Sequence, residues 1–456
     1  MYLENWLYER IRSELKADPE FRRSTGTFCF EQFARRDVIG YQLFKLRQTL
    51  QYVSTQSSVY RELFEKAGVK PEDIRRLSDI SRLPFTEPQQ LSEVPYRFLC
   101  LSQSEVARPY TFVTSGTTGP QKKIFWSHGD LERITDFMAA GIGTVADQDD
   151  VVQIILPDGR PNSQADLLHK GVIKYGATPV VAAFDLDAKE QLKIIEDHHS
   201  TVLFGYTGQI FRLSKELEAK CDLNKKGVKV LFLAAEYLPD SRRRELEKIW
   251  NSKIYTHYGL TEMGLGVAVE CEAGDGYHFN EADLLLEVID PQTGEPVRAG
   301  DEGELVFTTL NREAMPLIRY RTHDLSRLID EPCACGAVSL LKFDKVKKRL
   351  EAIVRIGDGD EMYPSLFDDT LFDFRGLIDY QVVLTREGKK DRLDFKIEMI
   401  CPSAESSREI AEKLLTEPII ERNIAAGRMA LPKVELVGSG ALRASGREKK
   451  LIVDRR

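Results

Sequence analysis

Apolar residues recur at helical spacing near the start of the chain, at Leu3, Leu7, Ile11 and Leu15 and again at Leu43, Leu46, Leu50 and Val53. Such stripes predict amphipathic helices over the first sixty residues, packed on the sheet that follows. From Gly68 to Glu93 the breakers Pro71, Pro84 and Pro88 predict short helical pieces. From Val151 the pattern becomes regular. Short apolar runs at Val151–Leu156, Pro179–Ala183, Thr201–Phe204, Val228–Leu233 and Lys253–Thr256 alternate with helical stretches such as Ala188–His198 and Asp240–Trp250. Strands alternating with helices predict a parallel, doubly wound α/β sheet, whose ligands gather at the carboxyl ends of the strands. Ala235 and Glu236 follow the fourth run, and Tyr258 and Gly259 follow the fifth.

After Met263 the pattern changes to strands and turns, as at Leu284–Ile289, Pro291–Gly294 and Gly303–Thr309, which predicts an antiparallel subdomain over about 264–345. The basic run Lys345–Arg349 is the expected boundary. Beyond it, Leu371–Phe374, Gln381–Leu384, Asp394–Ile397 and a helix from Ala404 to Leu415 suit a small α+β domain. The expected division is therefore a large N-terminal domain over 1–348 and a small, mobile C-terminal domain over 349–456.

Composition narrows the function more than the fold. The chain has 456 residues, 42% hydrophobic and 30% charged, which is an ordinary globular composition. A formal charge of -8 gives no support to nucleic-acid or anionic-membrane binding. No apolar run reaches membrane-spanning length and no signal-like segment opens the chain, so the expected location is the cytoplasm. Seven scattered cysteines make no disulfide framework, and the pair Cys333-Ala-Cys335 reads as a metal clip.

The stretch from Tyr110 to Phe125 holds a hydroxyl-rich glycine loop, Thr114, Ser115, Gly116, Thr117, Thr118 and Gly119, followed by Lys122 and Lys123. Glycines let backbone N–H groups approach a ligand, hydroxyls add donors, and a lysine adds charge, which is an inventory suited to a polyphosphate. The loop lacks the Gly-Lys-Ser/Thr ending of the Walker motif and is flanked by apolar residues, as a hairpin turn would be. A plain polar turn has the same composition. No Gly-x-Ser-x-Gly elbow appears, so Ser115 fits phosphate binding better than acyl transfer. His198 and His199 close the helix from Ala188 and read as its exposed end.

Two later motifs, Tyr258-Gly-Leu-Thr-Glu262 and Tyr320-Arg-Thr-His-Asp324, stand in the order and spacing of the adenylate-forming ligases. The chain most resembles their phenylacetate-CoA ligase branch, which includes the coenzyme F390 synthetase-like proteins. The resemblance runs from about Tyr60 to Arg456, through Tyr60–Val69, Leu83–Thr86, Ala235–Glu236 and Met315–Thr322. It implies an ATP-dependent ligase that converts a carboxylic acid to an acyl-adenylate and passes the acyl group to CoA. By resemblance, Thr114 to Gly119 with Lys123 cradle the phosphates, Glu262 reaches Mg²⁺, and Asp324 holds the ribose. Tyr258, with Gly259 and Thr261 in the same motif, lies against the adenine, and Ala235 and Glu236 line its site. Aromatic acids are favoured by the branch, and Phe204, Tyr206, Tyr255 and Tyr258 are compatible with them.

Cys271, His278, Cys333 and Cys335 make a Cys3His set for tetrahedral zinc, and this set also resembles the zinc-binding members of the branch. Four protein ligands leave no open position, so the role implied is structural. Three features depart from the family. Arg447 stands at the position of the C-terminal lysine that stabilises charge on the α-phosphate, with Lys449 or Lys450 able to substitute. The hinge match is only Lys348-Arg-Leu-Glu351, which assigns Arg349. Asp358, Asp360 and Glu361 add negative charge where a phosphorylated CoA arm would pass. The second and third classes of function are therefore an adenylating enzyme with another acceptor, such as a carrier protein, an amine or a phenolic cofactor, and a nucleotide-binding relative without turnover. Monomer and homodimer are both open.

Overall fold

A computed structural model describes residues 2–19, 33–112, 121–157, 159–442 and 452–456. The glycine loop from Thr114 to Gly119, and Arg447 and Lys449, lie outside the described residues. The chain carries a large mixed sheet with helices and a separate four-stranded sheet near the C-terminus. It divides into two compact units, one made of Met1–Ile154, Asp158–Val181 and Tyr255–Lys345, the other of Ile155–Pro157, Ala182–Ile254 and Val346–Arg456.

In the first unit the helices Tyr2–Ala17 and Arg35–Gln56 form as the apolar stripes require. Leu7, Ile11, Val38, Tyr41 and Phe44 pack together with Ala282. Ser57 caps the helix Ser58–Ala67, and Gly68 ends it in the left-handed region. The strands Arg108–Phe112 and Lys122–Trp126 pair antiparallel, with Phe112 opposite Lys122 across the glycine loop. Ser127 and Asp130 form a reciprocal cap on the helix His128–Val145, and Asp130 also accepts the backbone N–H groups of Glu313 and Ala314 at 2.7 and 3.0 Å.

The strands Leu284–Ile289, Gly303–Thr309 and Tyr320–Ser326 run antiparallel with a register shift between Glu304 and Val306. The antiparallel pairing expected after Met263 is present, and it makes the large sheet mixed. The short strands Ala268–Glu270 and Tyr277–Phe279 double back antiparallel on the chain after Tyr258. The link between Tyr258 and Ala268 is too short for a crossover helix, and a short link joins only antiparallel neighbours.

In the second unit the strands Val202–Tyr206 and Val230–Ala234 run parallel. The helices Ala188–His198, Thr207–Glu218 and Asp240–Trp250 flank them, the first ending in a left-handed His199. The C-terminal sheet has the order Lys433–Gly438, Lys390–Met399, Leu377–Glu387, Ile452–Asp454, its central pair antiparallel and its outer pairs parallel. One apolar core joins Leu203, Phe211 and Leu246 to Leu371, Tyr380 and Phe395. Arg242 is buried in it, its guanidinium 3.6 Å from the ring centre of Phe372 and 4.7 Å from that of Phe211. A planar cation stacked on rings loses less on burial than an ammonium would. Leu371 falls in a short helix, Asp368–Phe372.

Candidate active site

The motif around Glu262 is shaped by two glycines. A Cβ on Gly259 would lie 2.2 Å from the carbonyl oxygen of Leu265, and Gly264 has φ +96°, so both positions demand glycine. Between them Thr261–Met263 makes a single 3-10 turn that turns the Glu262 side chain inward. Lys122 donates to its Oε1 at 3.0 Å, Tyr320 donates to the same oxygen at 2.8 Å, and Lys122 also reaches the Tyr320 hydroxyl at 3.1 Å. Arg312 donates to the Glu262 carbonyl. Burial pushes the Glu262 carboxyl up, but the Lys122 charge and the hydrogen bonds outweigh it and hold it below the usual glutamate range. The inward lysine is Lys122. Lys123 faces the other way, 5.3 Å above the Tyr96 ring, so the hairpin register separates two residues that sequence treats alike.

Asp324 ends the second motif. Its Oδ2 accepts the Tyr258 hydroxyl at 2.6 Å, and its N–H donates to Thr322 Oγ1 at 3.0 Å. The Tyr258 ring lies in an aromatic cluster with Tyr277, Phe307 and Phe343. The first unit therefore brings Lys122, Glu262 and Tyr320 into contact at one point, and Tyr258 and Asp324 at another. Gly259 and Thr261 sit on the backbone between them.

Ala235, Glu236 and Arg349 belong to the second unit. Ala235 has φ +75°, unusual for a residue with a side chain, at the carboxyl end of the strand Val230–Ala234. The Glu236 carboxylate is 3.8 Å from Arg242, and a Cβ on Gly208 would come within 3.1 Å of it. Phe204 meets Phe232 edge to face, and Tyr206 meets Phe184 likewise. Each acid of the turn has a partner outside it. Asp358 meets Arg428, Asp360 meets Arg422 and Asn423, and Glu361 meets Arg355. The partners of Asp358 and Asp360 lie in a later segment, so spacing along the chain does not reveal them, whereas Arg355 is local to Glu361.

Cys271, His278, Cys333 and Cys335 present ligand atoms within 4.8 Å of one another. Cys271 and Cys333 are 3.5 Å apart at sulfur, and Cys335 Sγ is 3.5 Å from His278 Nε2. His278 Nδ1 lies 3.1 Å from the carbonyl oxygen of Leu341, which fixes the proton there and leaves the Nε2 lone pair facing the sulfurs. Burial pushes the Cys271 and Cys335 thiols up, and burial pulls His278 down. A close set of three sulfurs and one imidazole nitrogen fits zinc in both donor type and number.

The profile of the AMP-binding enzyme family matches residues 61–311, and that of the AMP-binding enzyme C-terminal domain matches 359–456. The chain is 30% identical to the phenylacetate-coenzyme A ligase of Thermus thermophilus, over 86% of this chain and 87% of that one. It is 29% identical to the phenylacetate-coenzyme A ligase of Aromatoleum evansii, over 93% and 96%. Among solved structures, 2-hydroxyisobutyryl-CoA ligase in the postadenylation state shares the fold at a TM-score of 0.79 and 20% identity, covering 92% of this chain and 90% of that one. No helix among the described residues is long and apolar enough to cross a membrane. The chain belongs to the AMP-binding enzyme family and, within it, to the group of the phenylacetate-coenzyme A ligases.

Proposed function

We propose that this chain joins an arylacetic or related aromatic acid to CoA in two steps. The acid's carboxylate oxygen attacks the α-phosphorus of ATP, a P–O bond to the leaving pyrophosphate breaks, and an acyl-adenylate forms. The CoA sulfur then attacks the acyl carbon, and AMP leaves with the bonding pair. Dividing one condensation into two transfers lowers each barrier.

The observation that carries this reading is the buried contact of Lys122, Tyr320 and Glu262 in a chain of this family. Glu262 stays ionised, as a ligand for a hard cation must be. Mg²⁺ held by Glu262 would neutralise phosphate charge. Lys122 stands next to the phosphate loop in sequence and adds a second positive charge. Asp324, oriented by Tyr258, accepts the ribose hydroxyls, and Ala235 and Glu236 line the adenine site. Arg447, with Lys449 beside it, meets the α-phosphate from the C-terminal domain, residues 349–456, which moves about the hinge near Arg349. Cys271, His278, Cys333 and Cys335 hold a structural zinc.

CoA is the favoured acceptor. The negative charge of Asp358, Asp360 and Glu361 argued against it, and each of these side chains has an arginine partner. The test is AMP release from ATP, Mg²⁺ and phenylacetate with and without CoA, with the thioester identified by mass. CoA-dependent release supports the reading, and release that ignores CoA moves the assignment to another acceptor.

A further inference from the structure

Tyr320 stands where three separated stretches meet. Thr86 bridges it as a parallel partner, its N–H donating to the Arg319 carbonyl at 3.0 Å and its carbonyl accepting the Arg321 N–H at 3.1 Å. The Thr86 hydroxyl donates to the Ile318 carbonyl at 2.6 Å, so Tyr60, 3.0 Å away, must be the donor in their contact. The Tyr60 oxygen in turn accepts the Ile318 N–H at 2.9 Å. Arg319 forks onto Glu287 at 3.1 and 3.0 Å and donates to the carbonyls of Ser81 and Leu83. The backbone is thus pinned on both sides of a ring that is 1% exposed.

All of this rigidity is delivered to one hydroxyl, which donates to Oε1 of Glu262 and accepts from Lys122. The two partners of that oxygen differ in kind. Lys122 is a point charge on a four-carbon stem with several rotatable bonds, and it follows the glycine loop closely in sequence. Tyr320 has a planar ring in a packed site and stays where it is.

We propose that Tyr320 is a positioning residue for the metal-binding carboxylate. It grips Glu262 by one oxygen, keeps a single carboxylate orientation when Lys122 turns to the nucleotide, and presents the other oxygen to the divalent cation of ATP. This assignment rests on the acid-ligase reading above. It gives the Tyr320–Asp324 motif a task beyond supplying Asp324.

The variant Tyr320→Phe keeps the ring and removes one oxygen. Manganese binding to the ATP complex, read by electron paramagnetic resonance, is expected to weaken about tenfold, the scale of one hydrogen bond to a charged group. The Mg²⁺ needed for half-maximal pyrophosphate exchange should rise about as much, with ATP binding in the absence of metal unchanged. A double-mutant cycle with Glu262→Gln separates this role from a general packing role. If Tyr320 acts through the carboxylate, Tyr320→Phe has no further effect on manganese binding in the Glu262→Gln background. Unchanged manganese binding in Tyr320→Phe, or equal losses in both backgrounds, would overturn the proposal. A wild-type protein that binds no manganese–ATP would instead remove the acid-ligase reading, and this assignment with it.

Discussion

The ammonium of Lys122 lies 3.0 Å from Oε1 of Glu262, and the two side chains are 9% and 8% exposed. Removing one member of so buried a pair leaves the other charge uncompensated, which costs about 3 kcal/mol. Lys122→Met should therefore lower stability in chemical denaturation by about that amount and depress pyrophosphate exchange. Lys123→Met, which loses only a cation–ring contact with Tyr96, should change stability by less than about 1 kcal/mol. Equal effects would contradict the assignment of Lys122 as the inward lysine.

The same pair sets a pH dependence. The folded carboxyl of Glu262 lies below the usual glutamate range, so the unfolded chain takes up its proton first as the solution is acidified. Its stabilising contribution is complete above that ordinary range and is lost as pH falls through the folded value. The stability gap between the wild type and Glu262→Gln should accordingly narrow from pH 6 toward pH 3. A gap that widens in acid would mean that Glu262 is buried as the neutral acid.

Tyr258→Phe removes the hydroxyl that holds Asp324. A hydrogen bond to a buried carboxylate contributes about 1.5–3 kcal/mol, and the aromatic packing with Phe307 and Phe343 survives the change. The expected result is a loss of that order in stability and a raised KM for ATP, with the KM for the acid unchanged.

Ala235 offers a prediction of opposite sign. At φ +75° a Cβ is strained, and glycine removes that strain at some cost in chain entropy. Ala235→Gly should raise the thermal midpoint slightly while weakening ATP binding, because strain held at a site serves to fix its backbone.

For the sulfur cluster, metal analysis should return one zinc per chain, and Cys335→Ser or His278→Ala should lose it. Since metal binding and folding are coupled, chelation should lower the unfolding midpoint. Full stability after chelation would contradict a structural role.

Much of the architecture was legible in the sequence because it is local. Leu3, Leu7 and Ile11 mark a helix by spacing alone, and the helix Ala188–His198 has the bounds that its pattern gives. The hairpin around the glycine loop was readable from the apolar flanks, but the inward lysine was not. Neighbours on a strand face opposite sides, so the choice between Lys122 and Lys123 depends on how the pair Arg108–Phe112 and Lys122–Trp126 lies on the unit. Glu262 and Asp324 could be named from motif order. Their partners Tyr320 and Tyr258 came from distant pairings that no window of sequence contains. The same holds for Tyr60, Thr86 and Arg319, whose motifs carried the resemblance and which turn out to be the scaffold of one another. The arginine partners of Asp358 and Asp360 are hidden from the sequence for the same reason, since Arg422 and Arg428 lie in a later segment.

The most direct test of the account is exchange of labelled pyrophosphate into ATP, with Mg²⁺ and a panel of aromatic and aliphatic acids. The account predicts exchange that requires an acid, is strongest with an aromatic one, and is lost in Glu262→Gln. ATP binding in calorimetry without exchange under any acid would contradict it, leaving a nucleotide-binding protein that does not activate carboxylates.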